Sequence, residues 1–583
     1  MDTIPCDPIR KKRNTTDNAP SEDVFSDFLG DIFHTTSQHS SQVASTLLQY
    51  ASLYGFSGIP PFQVSELKGA LRRMANRKCA DQHGIVVEVF KFGSNELHEA
   101  LLGIYNTMLR TGCLEPRWQH TLFSMLPKSG DLSQASNWRP IAILDVTYKI
   151  FSRMLYGRLR GILEPQQSHD QCGFRAEYSV EDELVVLDTV VGTSLEFKVP
   201  MWFASLDLRK AFDRIEHGSL LETLRAQGVG EAYLALLATL YSNQTGSVGN
   251  GRTFQILRGV KQGDIISPLL FNAGLETAIR NWKGKLRHLG IAIDHGERLT
   301  NIRYADDLII YANSLGELCY MVELLVSELE IVGLSLNTSK TNFFTTEALE
   351  LPLIVEVANG MVEVLTQRTE HKYLGRHIPG DLRARSTVEL DHRVAAAWGR
   401  FHKHRSRLMN RNVHISLRLK LFECVVTPTA LFGMTAMPLT PGQLQQLDAT
   451  RRRMLRSIAG WVRYPDEDWA CTTRRVNSKL AAALSEYPLR PWSEQFANRQ
   501  FNLMLRFTAK PQCWPTRAAK WDPSAPAHGE QVHFRMPGRP RRKWDDHLKD
   551  FSNNEFARKW FEITPQMWLA KRQDFISSVA VGS

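Results

Sequence analysis

From Pro61 onward the chain alternates between amphipathic helical spacing and short apolar runs. Val64, Leu67, Leu71 and Met74 recur at intervals of three and four and predict a helix, and a second is predicted around residues 97–110. Thr121-Leu-Phe-Ser-Met-Leu-Pro127 reads as an extended, β-rich stretch, followed by Lys128 and a turn at Ser129-Gly130-Asp131. Residues 137–144 predict another strand. Trp202-Phe-Ala-Ser-Leu206 is a short apolar strand that stops at Asp207 and passes into a helix, and residues 301–312 are two β-like runs flanking Asp306 and Asp307. Between these sites Ser267-Pro268 marks a helix start, with the hydroxyl placed to cap free amides and proline suited to the first turn. Leu269, Leu270, Ala273, Leu275, Ala278 and Ile279 then face a core. Amphipathic stretches at 388–408 and 417–431 predict further helices. The first sixty residues, rich in Ser, Thr and Gln, read as a loosely ordered leader, and there is no internal repeat.

With 583 residues, 43% of them hydrophobic and 23% charged, the chain is long enough for several packed domains. Its apolar runs fall short of the roughly 20 residues a membrane helix needs. Its first thirty residues are polar and charged rather than signal-like. A soluble intracellular protein without a membrane partner is expected. The eight cysteines are scattered singly, which excludes the paired spacing of a zinc knuckle or finger and makes them reduced thiols. A basic cluster at Arg10-Lys11-Lys12-Arg13 offers a weak nuclear-import signal.

Charge separates the chain into unlike parts. Residues 1–375 carry a net −7 and residues 376–583 a net +17. A surface of the second kind is drawn to a nucleic-acid backbone, because each neutralised phosphate releases counterions; the alternative is a solvated helical face. Nine tryptophans, Trp398 through Trp568, lie among these arginines, and some must be core.

Acids at strand ends can project into an open cleft instead of a core. Neighbouring residues of a regular strand point to opposite faces, so Asp306 and Asp307 serve one site only if the pair sits at a hairpin turn. On that reading Asp306 stands beside Asp207 as principal ligand and Asp307 supports it. Carboxylates converging in one cleft repel unless a cation lies between them, and magnesium suits such oxygen donors while keeping waters for substrate phosphates. Two such ions activate an attacking hydroxyl and stabilise a leaving oxygen, the chemistry of nucleotidyl transfer. Gly259 and Gly263 bracket the loop before the 267 helix and permit close backbone approach by a nucleotide or template base; a plain strand-to-helix loop reads the same way. An Asp-Asp pair taken alone also fits a surface turn.

The ordered set resembles the reverse transcriptases of non-LTR (LINE-type) retrotransposons. Leu126-Pro-Lys-Ser-Gly-Asp131 with Asn137-Trp-Arg-Pro-Ile141 is similar to the first fingers motif of that family, and Gln171-Cys-Gly-Phe-Arg175 with Ser179 and Asp182 to the second. Residues 207–213 resemble motif A, 259–271 motif B, Tyr304-Ala-Asp-Asp307 motif C, Gly333-Leu-Ser-Leu-Asn337 with Lys340-Thr341 motif D, and Lys372-Tyr-Leu-Gly375 the primer-grip motif E. Order and spacing agree throughout.

The resemblance implies an RNA-directed DNA polymerase of α+β, right-hand architecture. Its parts are a leader at 1–60, fingers at 61–200, a palm with an antiparallel sheet at 201–350, a primer grip and helical thumb at 351–440, and a helical basic extension at 441–583. It implies that Asp207, Asp306 and Asp307 bind two Mg2+ ions, and that Phe212 is the steric gate that excludes a 2′-hydroxyl. Lys128 and Arg139 would hold the incoming triphosphate, a guanidinium being suited to bidentate phosphate contact. Gln262 and Gly263 would border nucleotide and template, and Lys340 would give a proton to pyrophosphate. Arg175 would hold template backbone or serve the fingers structurally. The implied partners are an RNA template, a DNA primer or target DNA and deoxynucleoside triphosphates, in a ribonucleoprotein of nucleus or cytoplasm. The other reading is a nucleic-acid-binding remnant that has lost synthesis.

The pattern departs in places. Ala80-Asp-Gln-His-Gly84 stands where the family often has a Gly-Pro-Asp-Gly turn. Such elements usually add an endonuclease, and none is read in this sequence: Pro465-Asp-Glu-Asp468 reads as a solvated acidic loop. Arg451-Arg-Arg-Met-Leu-Arg456 is expected on the thumb's basic face, and residues 538–548 as a basic arm for RNA or a flexible tail.

Overall fold

The computed structural model describes residues 19–581, apart from 129, 348, 350–352, 366–369, 528–529, 539 and 541. The Arg10–Arg13 cluster, Ser129, and Arg539 and Arg541 of the expected basic arm therefore lie outside the described residues. Twelve strands are described: β1 (His120–Pro127), β2 (Trp138–Ile143), β3 (Trp202–Leu206), β4 (Gln244–Val248), β5 (Phe254–Ile256), β6 (Asn301–Tyr304), β7 (Asp307–Ala312), β8 (Asn342–Thr345), β9 (Leu353–Val357), β10 (Gly360–Val364), β11 (Glu370–Tyr373) and β12 (Arg376–Pro379). The chain forms two compact units. One takes residues up to Ser168 with Asp207–Arg287 and Val322–Asn337; the other takes His169–Leu206, His288–Met321 and the chain from Thr338 onward. The two units interleave along the chain.

The first unit holds a four-stranded sheet of order β2-β1-β4-β5, in which β1 runs antiparallel to β2 and parallel to β4. Helices cover it, including Asn95–Thr111 and Val146–Leu163, whose apolar faces meet where Tyr105 and Trp118 pack on Phe151. The expected loosely ordered leader is corrected here: it contains helices Glu22–Phe33 and Gln38–Tyr54. Ser21 and Ser37 cap them by accepting amide hydrogens, a use of serine that composition cannot tell from disorder. Phe25, Leu29, Phe33 and Leu47 are buried, and Phe33 stacks on Phe254 of β5 at 6.1 Å.

The second unit holds a six-stranded sheet of order β6-β7-β3-β8-β10-β9 and the hairpin β11-β12. Every residue of β3 is buried, because both faces of this central strand are covered; hence its unbroken apolar run. Phe203 pairs with Tyr311 of β7 and Phe344 of β8, and the rings of Phe203 and Phe344 stack at 4.7 Å and 2°. Helix Val180–Phe197 is buried along nearly its whole length, capped by the reciprocal Ser179–Asp182 box. One continuous apolar core links this helix, Phe203 and Tyr311 to Phe401, Trp492, Trp544 and Trp568.

Residues 441–583 are largely helical, and their buried tryptophans share that core. Trp492, Trp514, Trp521, Trp544, Trp560 and Trp568 are all buried. The expected arm becomes packed structure from Trp544: Leu548 is fully buried, and Asp545 accepts the Trp560 indole N–H at 2.9 Å. Arg451 also leaves the expected basic face, since it is buried and donates to the Leu489 carbonyl at 2.7 Å. The residues after Pro465 form an exposed loop as expected, in which Glu467 pairs with Arg475 and Asp468 caps helix Trp469–Glu486.

Candidate active site

The second unit shapes the Asp-Asp pair. β6 and β7 are antiparallel, and Tyr304 pairs with Asp307, so Ala305 and Asp306 form the two-residue turn and Asp307 opens β7. This is the hairpin that the neighbouring carboxylates require. Ala305 has a φ of +59°, a backbone state usually given to glycine in such turns. Leu308 to Ala312 are buried, whereas Asp306 and Asp307 are partly exposed. Leu206, the last residue of β3, pairs with Leu308, so β3 ends at the level of the turn. The next residue in the chain is Asp207.

The turn is held from one side by Asp170–Gly173. Arg303 donates its amide to the Asp170 carbonyl at 2.8 Å and accepts the Cys172 amide at 2.9 Å. Gln171, fully buried, uses Oε1 to accept both the Gly173 amide at 2.7 Å and the Ala305 amide at 3.0 Å. Gly173 lies so close that a Cβ would meet Ala305 N at 2.5 Å. Arg303 and Asp170 also form a buried ion pair at 3.6 Å. Glu183 accepts the Tyr373 hydroxyl at 2.6 Å; burial pushes its carboxyl well up, and the charge of Asp307 pushes the same way.

In the first unit, Asp207 begins a segment tied to residues 335–337. Its carbonyl accepts the Asn337 amide at 2.8 Å, its Oδ2 accepts Asn337 Nδ2 at 2.7 Å, and Arg209 donates its amide to the Ser335 carbonyl. Asp207 is also partly exposed next to buried Leu206 and Leu208. Phe212 stacks on Phe271 at 4.4 Å and 17°, which fixes its ring plane against helix Ser267–Leu286. That helix starts as expected, with one correction. Ile266 is the cap residue and Ser267 the first helical residue, so its hydroxyl caps nothing.

The loop before this helix gathers several of the expected residues. Val260 donates its amide to the Phe212 carbonyl at 2.7 Å, and Gln262 Nε2 donates to Asp213 Oδ1 at 2.8 Å. Ala142 of β2 donates its amide to the Gln262 carbonyl at 2.8 Å. Gly263 has a φ of +113°, and a side chain there would crowd the Ala142 carbonyl. Arg139 lies on the same strand, opposite Leu126, and Lys128 follows the end of β1; both side chains are exposed. Behind the loop, Asp264 accepts the Tyr148 hydroxyl at 2.6 Å and the Ser152 hydroxyl at 2.5 Å. Burial pulls Lys261 down to about 8, Asp264 opposing the shift. Lys340 ends a short turn in the second unit with its side chain exposed; Asn342 donates to its carbonyl at 3.0 Å.

Gln171, Asn337 and Asp264 were given no separate role from sequence. Their partners Ala305, Asp207 and Tyr148 lie more than a hundred residues away in the chain, beyond the reach of any local spacing. Among the described residues, no three His, Cys, Asp or Glu side chains form a closed cation cage. The partly exposed carboxylates are nevertheless hard oxygen donors of the kind magnesium takes together with water and substrate phosphate. Among the described residues no helix is long and apolar enough to cross a membrane, and the described cysteines are free thiols.

Residues 126–378 match the family model described as "Reverse transcriptase (RNA-dependent DNA polymerase)". The chain is 28% identical over 262 residues to "Transposon TX1 uncharacterized 149 kDa protein" of Xenopus laevis, covering 44% of this chain and 20% of that protein. It is 30% identical over 239 residues to "Retrovirus-related Pol polyprotein from type-1 retrotransposable element R2" of Popillia japonica, covering 40% and 33%. It is 29% identical over 309 residues to "Retrovirus-related Pol polyprotein from type-2 retrotransposable element R2DM" of Drosophila melanogaster, covering 50% and 28%. The chain thus spans between a fifth and a third of these relatives' lengths. Over that stretch the matches bear out the resemblance to non-LTR retrotransposon reverse transcriptases.

Proposed function

We propose that the chain is an RNA-directed DNA polymerase, which adds deoxynucleotides to the 3′-hydroxyl of a primer paired with an RNA template. One observation carries the reading: β3 pairs with β7 in a register that ends β3 at the level of the turn bearing Asp306 and Asp307. Two Mg2+ ions held by Asp207, Asp306 and Asp307 would supply activation of the attacking hydroxyl and stabilisation of the departing oxygen.

The chain's own residues do the rest. Asn337 orients the Asp207 carboxylate, and Gln171 holds the turn. Phe212, its ring fixed by Phe271, closes the space a 2′-hydroxyl would need, so that the product is DNA. Gln262 and Gly263 border the incoming nucleotide and template; Lys128 and Arg139 hold the triphosphate; Lys340 donates a proton to the leaving pyrophosphate. The matched segment supplies fingers and palm of a right hand, followed by a helical thumb whose basic residues accompany the duplex. The protein works inside the cell, with its RNA.

Primer extension on an RNA template with magnesium and deoxynucleotides tests this, beside Asp306→Ala combined with Asp307→Ala. Synthesis by the wild type, lowered by more than about a hundredfold in the double variant, is the expected result. Binding of the duplex without synthesis by the wild type would identify a remnant that has lost activity.

A further inference from the structure

The loop Gly460–Asp468 joins helices Pro441–Ala459 and Trp469–Glu486. Trp461, Val462, Tyr464 and Trp469 there are 36%, 40%, 53% and 66% exposed, in a unit that otherwise hides most of its tryptophans. The two indoles meet edge to face at 6.4 Å and 60°, and the Arg475 guanidinium lies 4.2 Å from the Tyr464 ring centre. These contacts give the rings fixed attitudes while leaving much of their surface to solvent.

Two of the loop's three acids, Glu467 and Asp468, are bonded within the protein. Glu467 accepts from Arg475 Nε at 2.5 Å, from Arg475 Nη2 at 2.7 Å and from the Thr472 hydroxyl at 2.9 Å; the guanidinium pulls its carboxyl down to about 2. Asp468 accepts the Cys471 amide at the helix start. Beside the exposed acids Asp466 and Asp468, the outward residues are aromatic and cationic: Arg463 within the loop, whose Nε also donates to the Glu467 carbonyl at 2.8 Å, Arg453 and Arg474 on the flanking helices, and Arg411, whose guanidinium adjoins Gly460. The whole lies in the part of the chain with a net charge of +17. Rings beside arginines complement bases joined by phosphates, whereas an apolar protein partner would leave the arginines uncompensated.

We propose that this loop is a binding surface for single-stranded polynucleotide, with bases stacking on Trp461, Tyr464 and Trp469 and phosphates drawn to Arg411 and Arg463. It takes from the proposed function only the class of ligand, and adds a contact for the unpaired strand that is separate from the carboxylate hairpin. Stacking accepts any base, so binding is tolerant of sequence and sensitive to salt.

Fluorescence anisotropy of labelled oligo(U) and oligo(dT) of about fifteen nucleotides, titrated with the full chain, tests the proposal. Trp461→Ala with Trp469→Ala should weaken binding about tenfold or more, with the salt dependence retained, and the corresponding Phe pair should recover most of the loss. Arg411→Ala with Arg463→Ala should instead flatten the salt dependence by about two phosphate contacts. Comparison of the two oligomers tells RNA from DNA. Trp461 is 36% exposed and Trp469 66%, so thermal melts of the Ala and Phe pairs are taken alongside to separate lost packing from lost stacking. Wild-type affinity in the Ala pair overturns the proposal and turns the loop over to a protein or lipid partner. Extension of a pre-annealed primer separates the two readings. Weakened binding in the Ala pair while the wild type synthesises nothing leaves the surface standing and defeats the polymerase; synthesis with unaltered binding does the reverse.

Discussion

Replacing Gly173 by alanine perturbs the Asp306–Asp307 turn without touching either carboxylate. A Cβ at 173 would stand 2.5 Å from Ala305 N and 2.8 Å from the Tyr304 carbonyl carbon, against the 3.4 Å at which ordinary contact begins. The two backbones must therefore part by about 0.9 Å in a close-packed interior. Neither side yields readily. Gln171 Oε1 ties Gly173 and Ala305 together, and the Cys172 amide is bonded to the Arg303 carbonyl. The cost to stability should be about 1–3 kcal/mol, as for other overpacked sites. The cost to catalysis should be larger, since a displacement of about 1 Å at reacting groups lowers rates by on the order of a hundredfold. Single-turnover primer extension gives the rate, primer-template titration the affinity, and a thermal melt the fold. We expect a folded variant with near-normal duplex affinity and a rate reduced about a hundredfold. A variant that melts like the wild type and extends within about threefold of it would show that the turn is not held by this contact.

Other substitutions probe neighbouring parts. Gln171→Leu removes the oxygen shared by two buried amides, at about 1–3 kcal/mol for each, and should slow extension, while Gln171→Glu keeps the accepting oxygen and should recover part of the rate. Phe212→Ala should admit ribonucleotides, read as a fall in the ratio of kcat/KM for deoxy- over ribonucleotides; an unchanged ratio would remove Phe212 from the gate. Lys261 has its proton held less firmly in the fold than in the unfolded chain, about 8 against 10.5. The cost of burying its ammonium is thus fully present below about pH 8 and fades as pH rises toward about 10.5, so stability should climb through that window. Lys261→Met should add roughly 3 kcal/mol at neutral pH and flatten that climb, measured by denaturant unfolding across pH. Asp264→Leu leaves the Tyr148 and Ser152 hydroxyls without their shared acceptor and should cost about 3–5 kcal/mol in the same assay.

Much of the site could be read before any coordinates. Period-two and period-3.6 patterns located β1, β2, β3, the β6–β7 pair and the 267 helix, because each buries a face whose spacing the backbone sets. The Asp-Asp pair demanded a turn on stereochemical grounds, and the Tyr304–Asp307 pairing provides one. The leader was misread because serine serves equally in flexible chains and as a helix cap; only the packing of Phe25, Leu29 and Phe33 distinguishes the two. The C-terminal tryptophans were ambiguous for a similar reason: a ring among arginines can stack on a base or fill a core. In the same part of the chain Trp544 is buried and Trp469 is exposed.

The sequence by itself determined the elements and the chemistry: which stretches are strands, where carboxylates end them, and the order of motifs that marks residues 126–378. These are local properties, fixed by side-chain spacing and residue type. Tertiary structure alone decided which distant polar groups meet. Gln171 reaches Ala305, Asn337 reaches Asp207 and Asp264 joins Tyr148 to Ser152, each across more than a hundred residues. It also decided that the basic final third shares one core with the sheet beside the Asp306–Asp307 turn. Such pairings depend on chain closure and on the need of every buried polar atom for a partner, and neither leaves a periodic trace in the sequence.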